Sequence, residues 1–197
     1  MPLISVTPVF HDDAILGLWE MTESPTTFSS WYEEASMLYK STIRQKEYVC
    51  VRALLREMMG RDMAILHNSD GKPFLENGYH ISVSHTKGYC AVIVSLQYEV
   101  GVDIEYMSDR VSKIARKFIR DDEKAFTTVH QLLHWCGKET GYKLFSADHL
   151  DLLEMRVEPF ELDERGVIRI ENLRRSVAVA VDYVVMPQYV LTYGVLY

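Results

Sequence analysis

Apolar residues along the chain change period several times, and each change marks an element. Between Ser29 and Gly60, the residues Leu38, Tyr39, Val49, Val51, Leu54, Leu55 and Met58 recur at mixed three- and four-residue spacings, which predicts a helical region divided into two helices. The stretch NSDGKP is a turn: Asp70-Gly71 favours chain reversal, and Pro73 holds Lys72 extended. HISVSHTKGYCAVIVSL then shifts to a period of two. Ile81 and Val83 alternate with Ser82 and Ser84, HTKG makes the bend, and CAVIV is apolar on both faces, so this is a hairpin. A strand follows into VGVDIEY. RVSKIARKFIRDDEKAF returns to helical spacing, with Val111, Ile114, Ala115 and Phe118 as its buried stripe. HQLLHWCGKETGYKLF is a further helix, and the chain from Val157 onward supplies three strands. The order helix, strands, helix, strands predicts an α+β architecture of two similar halves, 1–98 and 99–197, meeting near residues 96–100.

A hydrophobic content of 48% is ample for buried cores in a soluble protein of 197 residues. The longest apolar region, SVAVAVDYVVMPQYVLTYGVLY, is interrupted by Asp182, Pro187 and Gln188, and reads as two strands around a turn, not a membrane helix. MPLISVTPVFHDD has neither a basic start nor a long apolar stretch, so no secretory signal or anchor is expected and a cytoplasmic location is. Cys50, Cys90 and Cys136 form no CxxC pair, which fits reduced, unpaired thiols. A formal net charge of -7 argues against nucleic acid as a partner, so any polyanionic ligand needs a local basic patch.

The candidate chemistry begins at GVDIEYMSDR. In a strand, Val102 and Ile104 face a core while Asp103 and Glu105 share the other side. Such a pair repels unless it is solvated, shares a proton or holds a cation. Taken alone, the pattern fits a strand end with a solvated polar face better than it fits a site. A second acidic cue lies in HWCGKETGYK, where Trp135, Glu139 and Lys143 are four apart on one helical face. An aromatic packed beside a Glu–Lys pair would give the same spacing. Gly137 and Gly141, however, each cost a helix about 1 kcal/mol relative to alanine, so a neighbouring backbone or a ligand is expected to need the space. A third carboxylate facing the first two would complete an all-oxygen site for Mg²⁺ or Mn²⁺ and a phosphorylated substrate.

GVDIE, the basic segment with KFI and DE, and WCGKETGYK together resemble the signature of the 4'-phosphopantetheinyl transferase superfamily. GKP and ISVSH resemble features that precede it in the larger, pseudo-dimeric members, the class that activates surfactin synthetase. The resemblance covers roughly residues 44–143. It implies two pseudo-symmetric α+β halves with coenzyme A and Mg²⁺ in the cleft between them. It also implies transfer of 4'-phosphopantetheine from coenzyme A to a serine hydroxyl of an acyl or peptidyl carrier protein, the holo-[acyl-carrier-protein] synthase activity, releasing adenosine 3',5'-bisphosphate. Carried over by position, Asp103, Glu105 and Glu139 would hold the metal. Glu139 would also deprotonate the serine, directly or through a water, and Lys143 would stabilise the breaking diphosphate. Lys72 would approach the adenylate, and Ser84 and His85 the phosphates, with Lys87 near. Arg44 and Arg52 are the arginines expected to face the nucleotide, although Arg56 and Lys46 compete for that place.

Glu123 matches a family acid, with an exposed turn residue as the equal alternative, and Trp135 is expected to pack so as to position Glu139. Gly137 and Gly141 depart from the small or apolar residues usual in the family. Arg110, Lys113, Lys117 and Arg120 fall at helical steps on one cationic face, either merely solvated or suited to an acidic carrier protein. Two halves in one chain make a monomer the expectation. The alternative function is a non-catalytic module of the same fold that holds coenzyme A or a carrier protein. An unrelated Mg²⁺ hydrolase would instead release phosphate with no carrier present.

Overall fold

In the computed structural model, which describes residues 3–197, the first elements are two strands that the helix-first reading did not anticipate. β1 (Leu3–Val9) and β2 (Ala14–Glu20) form an antiparallel hairpin. β1 is largely exposed along its length, so it carries no core stripe. Its turn places Phe10, His11 and Asp12 at positive φ of 55°, 55° and 72° without a glycine, so the usual turn signal is missing as well.

Two helices follow, as the spacing predicts: α1 (Ser29–Leu38) and α2 (Thr42–Met59). α2 ends at Gly60, which takes the left-handed conformation, φ 69°, that favours glycine at this cap. β3 (Ile65–His67) and β4 (Pro73–Leu75) flank the NSDGKP turn, where the Asn68 side-chain oxygen accepts from the backbone N–H groups of Asp70 and Lys72. β5 (His80–Thr86) and β6 (Tyr89–Ser95) are the predicted hairpin. Its bend is only Lys87-Gly88, so His85 lies within β5 opposite Cys90 and not at the bend. The six strands make one antiparallel sheet, ordered β1-β2-β6-β5-β4-β3. Its core joins Trp19, Leu75, Ile81, Val92 and Val94 of the sheet to Val49, Leu54, Leu55 and Met58 of α2.

This first unit ends at Gln97, and the second begins at Tyr98. The second contains β7 (Glu99–Tyr106), α3 (Thr128–Leu144), β8 (Met155–Val157), β9 (Arg165–Asn172), β10 (Val177–Val185) and β11 (Tyr189–Leu196). Its antiparallel sheet runs β7-β11-β10-β9-β8. Leu132, Leu133 and Cys136 of α3 share its core with Ile168, Ile170, Val181 and Val190 of the sheet. One sheet and packed helices in each unit make the α+β class that the patterning predicts.

The segment after β7 differs from its expectation. Only Arg110–Lys117 is helical, and it is a 3-10 helix, not the long α-helix that the Val111, Ile114, Ala115, Phe118 spacing suggests. Backbone bonds from Phe118 and Ile119 to Ala115 O close its end, and from there two backbone groups bond side chains: Lys138 Nζ donates to Phe118 O, and Arg120 N–H donates to Glu123. Among the described residues, no helix is long and apolar enough to cross a membrane. The three cysteines are free and buried.

Candidate functional site

Alternation along β7 places Gly101, Asp103 and Glu105 on one face, and α3 covers that face. Packing is close enough that a Cβ on Gly101 would lie 2.6 Å from the backbone oxygen of Thr140. This corrects the expectation of a solvated strand end: Asp103 is 6% exposed. Val102 and Ile104, on the opposite face, are buried as expected.

Two cationic side chains explain how the neighbouring acids tolerate each other. Lys143 Nζ, from the last turn of α3, donates to Asp103 Oδ1 at 3.0 Å and to Val102 O at 2.6 Å. Arg110 Nη2 lies 3.3 Å from Glu105 Oε1. Burial, reinforced by the charges of Asp103 and Glu105 and by a hydrogen bond to Asp103, holds the Cys136 thiol well above its ordinary range, so it is neutral. Glu139 sits one helical turn before Lys143. Burial first, then the negative charge of Asp103, raises its pKa to about 7; Lys143 lowers it and Glu105 raises it.

Asp103, Glu105, Glu139 and Lys143 therefore share one electrostatic field. The three acids offer carboxylate oxygens, the chemistry that suits Mg²⁺ or Mn²⁺, so in kind they fit the metal. Among the described residues, no three His, Cys, Asp or Glu side chains are gathered as a ready ligand set. In this arrangement Lys143 and Arg110 supply the positive charge at Asp103 and Glu105.

The glycines of α3 have a different reason from the one expected. A Cβ on Gly137 would come within 2.6 Å of Ile168 Cδ1, and one on Gly141 within 2.8 Å of Ile170 Cγ2. Side chains of β9, joined at Gly141 by Met155 of β8, and not a backbone, fill the space. Trp135 packs edge-on to Phe118, with ring centroids 5.2 Å apart.

Glu123 is not an exposed turn residue. Its side chain and that of Lys138 are both fully buried and pair at 2.8 Å. Glu123 also accepts from the backbone N–H groups of Arg120 at 2.7 Å and Val157 at 2.6 Å, while Lys138 donates to Phe118 O at 2.6 Å. Lys138 was not singled out from the sequence. Its signal was a lysine four residues after His134 and three before Gly141, both on the buried side of α3.

Of the cationic residues, Lys113 and Lys117 are exposed on the 3-10 helix. Arg120 lies outside that helix and is bound to Asp122 and Leu153 O, so it does not continue their face. With three residues per turn, Arg110, Lys113 and Arg116 align instead.

In the first unit, α2 presents Arg44, Glu47, Tyr48, Val51 and Arg52 as one stripe, which lines a pocket of about 370 Å³ with Tyr39, Ile65, His67, Pro73, Val83 and His85. Glu47 links Arg44 at 2.9 Å to His85 at 3.4 Å. The Arg52 guanidinium lies 3.3 Å from the Tyr48 ring centroid. Burial lowers the Arg52 pKa. Three of the five residues expected at the nucleotide, Arg44, Arg52 and His85, are thus in one wall. Lys72 precedes Pro73 without lining the pocket. Ser84 is buried and, next to His85 in a strand, faces the other way. Arg56 instead lines a second pocket with Trp19, Phe28 and Trp31. Cations beside aromatic rings suit an anionic ligand with a planar ring.

Compared with known families, residues 34–95 match the model of the 4'-phosphopantetheinyl transferase N-terminal domain, and residues 99–193 match that of the 4'-phosphopantetheinyl transferase superfamily. A search of curated proteins found no match.

Proposed function

The chain belongs to the 4'-phosphopantetheinyl transferase superfamily, and from that premise we propose that it moves 4'-phosphopantetheine from coenzyme A to a serine of an acyl or peptidyl carrier protein, with Mg²⁺. What supports the reading is the convergence of Asp103, Glu105 and Glu139 on one field beside Lys143.

Asp103, Glu105 and Glu139 would hold the metal, which supplies positive charge to the diphosphate. Glu139, a carboxylate beside Asp103 and Lys143, would also take the serine proton, directly or through a water. The serine oxygen forms a bond to the phosphorus of the pantetheine phosphate, and the bond to the adenosine phosphate breaks. Negative charge then develops on the departing adenosine 3',5'-bisphosphate, and Lys143 stabilises it there. Arg44, Arg52 and His85 contact the nucleotide end of coenzyme A, and Lys72, next to the pocket residue Pro73, adjoins them; Ser84, buried on the other face of β5, does not. The exposed cations of the 3-10 helix, Arg110, Lys113, Arg116 and Lys117, suit an acidic carrier surface; Arg120, already paired with Asp122, contributes less.

The test is intact-protein mass spectrometry of apo carrier proteins incubated with the chain, coenzyme A and Mg²⁺. One phosphopantetheine is expected on at least one carrier, and is lost with chelator and with Glu139→Gln. Phosphate release with no modified carrier would point to a hydrolase, and tight coenzyme A binding without transfer to a binding module.

The pocket has its own check. Arg44 is mostly exposed, so Arg44→Ala should leave stability unchanged while raising KM for coenzyme A roughly tenfold, the loss of one charge-assisted contact, with kcat held. An unchanged KM would remove the pocket from the nucleotide's path.

A further inference from the structure

We propose that Lys138 and Glu123 are positioning residues for Glu139, fixing its helix against the loop at residues 118–123 so that the cationic segment and the acid keep one geometry. This rests on the transfer reading of the acid site. Lys138 immediately precedes Glu139, and its ammonium bonds the end of the 3-10 segment at Phe118 O and the Glu123 carboxylate. Glu123 in turn holds Arg120 N–H and, on β8, Val157 N–H. One fully buried pair thereby ties α3, the docking segment and the sheet edge together.

Glu139 is bracketed from its other neighbour as well. Thr140 Oγ1 and Thr192 Oγ1 of β11 are hydrogen-bonded at 2.7 Å, and both residues are fully buried. Successive residues of an α-helix are turned by about 100°, so pinned neighbours on both sides fix the direction in which Glu139 projects. The apolar rows at Gly137 and Gly141 set how near α3 lies to β9, but such packing carries little direction. Hydrogen bonds to three backbone groups do. A buried ion pair is a poor device for stability alone, since an apolar pair of equal volume does as well. An apolar pair could not satisfy Phe118 O, Arg120 N–H and Val157 N–H.

The experiment uses the full chain with both charges removed at near-constant volume, Lys138→Met with Glu123→Gln. The double variant should fold and modify its carrier with kcat at least tenfold lower, KM for coenzyme A within about twofold, and faster amide hydrogen exchange at residues 139–143. Asn172→Ala, which removes a bond to Asp148 and touches neither Glu123 nor Lys138, serves as the control for lost stability and should keep its kcat. A folded double variant with wild-type exchange across 139–143 overturns the proposal. If the wild-type chain modifies no carrier, the transfer reading falls by itself and the exchange result still decides the positioning role. Should the double variant fail to fold, Glu123→Gln alone, which keeps an acceptor for Lys138, is judged by the same exchange criterion.

Discussion

Replacing Glu139 with Gln should stabilise the metal-free protein at pH 8 while reducing transfer by about a hundredfold or more, the usual worth of a general base. The sign follows from linkage. A carboxyl raised from 4.5 in the unfolded chain to about 7 in the fold binds more protons folded than unfolded across that interval. Wild-type stability therefore declines as pH rises from about 4.5 to 7, and the full penalty, on the order of 3 kcal/mol, applies above 7. A neutral amide escapes it. For a chain of this length that corresponds to a melting temperature roughly 5–10 °C higher at pH 8, with little difference at pH 5. Mg²⁺ should reverse the ranking, raising the wild-type midpoint at pH 8 and leaving Glu139→Gln unmoved. Calorimetry at the two pH values, with metal and with chelator, checks both arms. Equal midpoints for both proteins at pH 8 would mean that Glu139 is not a buried, charge-crowded carboxyl.

The same residues show how far sequence reasoning reaches. α2 and β5 were legible from the period of their apolar residues, and β6 from a short apolar run bounded by turn residues. GVDIE and the Glu139–Lys143 step were legible as chemistry only together, because each spacing alone has an ordinary structural explanation and it was their order along the chain that resembled a family signature. Their environment was not. Asp103 is buried because α3 covers its face of β7, a contact between residues some forty apart that no local pattern encodes. The Lys138–Glu123 pair was hidden for the same reason. DDEK reads as a solvated turn until Lys138, Arg120 N–H and Val157 N–H are brought to it by the fold. The 3-10 segment misled because its apolar spacing is compatible with an α-helix, and one partner of its following loop, Lys138, lies on α3. β1 failed differently. An exposed edge strand carries almost no core periodicity to detect.

Gly101→Ala should cost far more than Gly137→Ala, although both introduce one methyl group beside α3. At Gly101 the new carbon meets the backbone oxygen of Thr140 at 2.6 Å and Leu144 Cγ at 3.0 Å. A helix backbone cannot step aside as a side chain can, so α3 must lift from β7, and with it Glu139 and Lys143. Overpacking of this kind costs about 1–3 kcal/mol. The larger effect falls on the reaction, because displacing catalytic groups by about 1 Å can reduce a rate on the order of a hundredfold. At Gly137 the nearest atoms are Ile168 Cδ1 at 2.6 Å and Ile170 Cδ1 at 3.1 Å, the ends of side chains able to rotate. Alanine also gains roughly 1 kcal/mol of helix propensity over glycine there, which offsets the crowding. Gly137→Ala is accordingly expected to keep its melting temperature within about 3 °C and its transfer rate within roughly threefold. Thermal melts and single-turnover transfer on the two variants decide the matter. A Gly101→Ala protein with the wild-type midpoint and rate would show that the closeness of α3 to β7 does not set the geometry of the acid site.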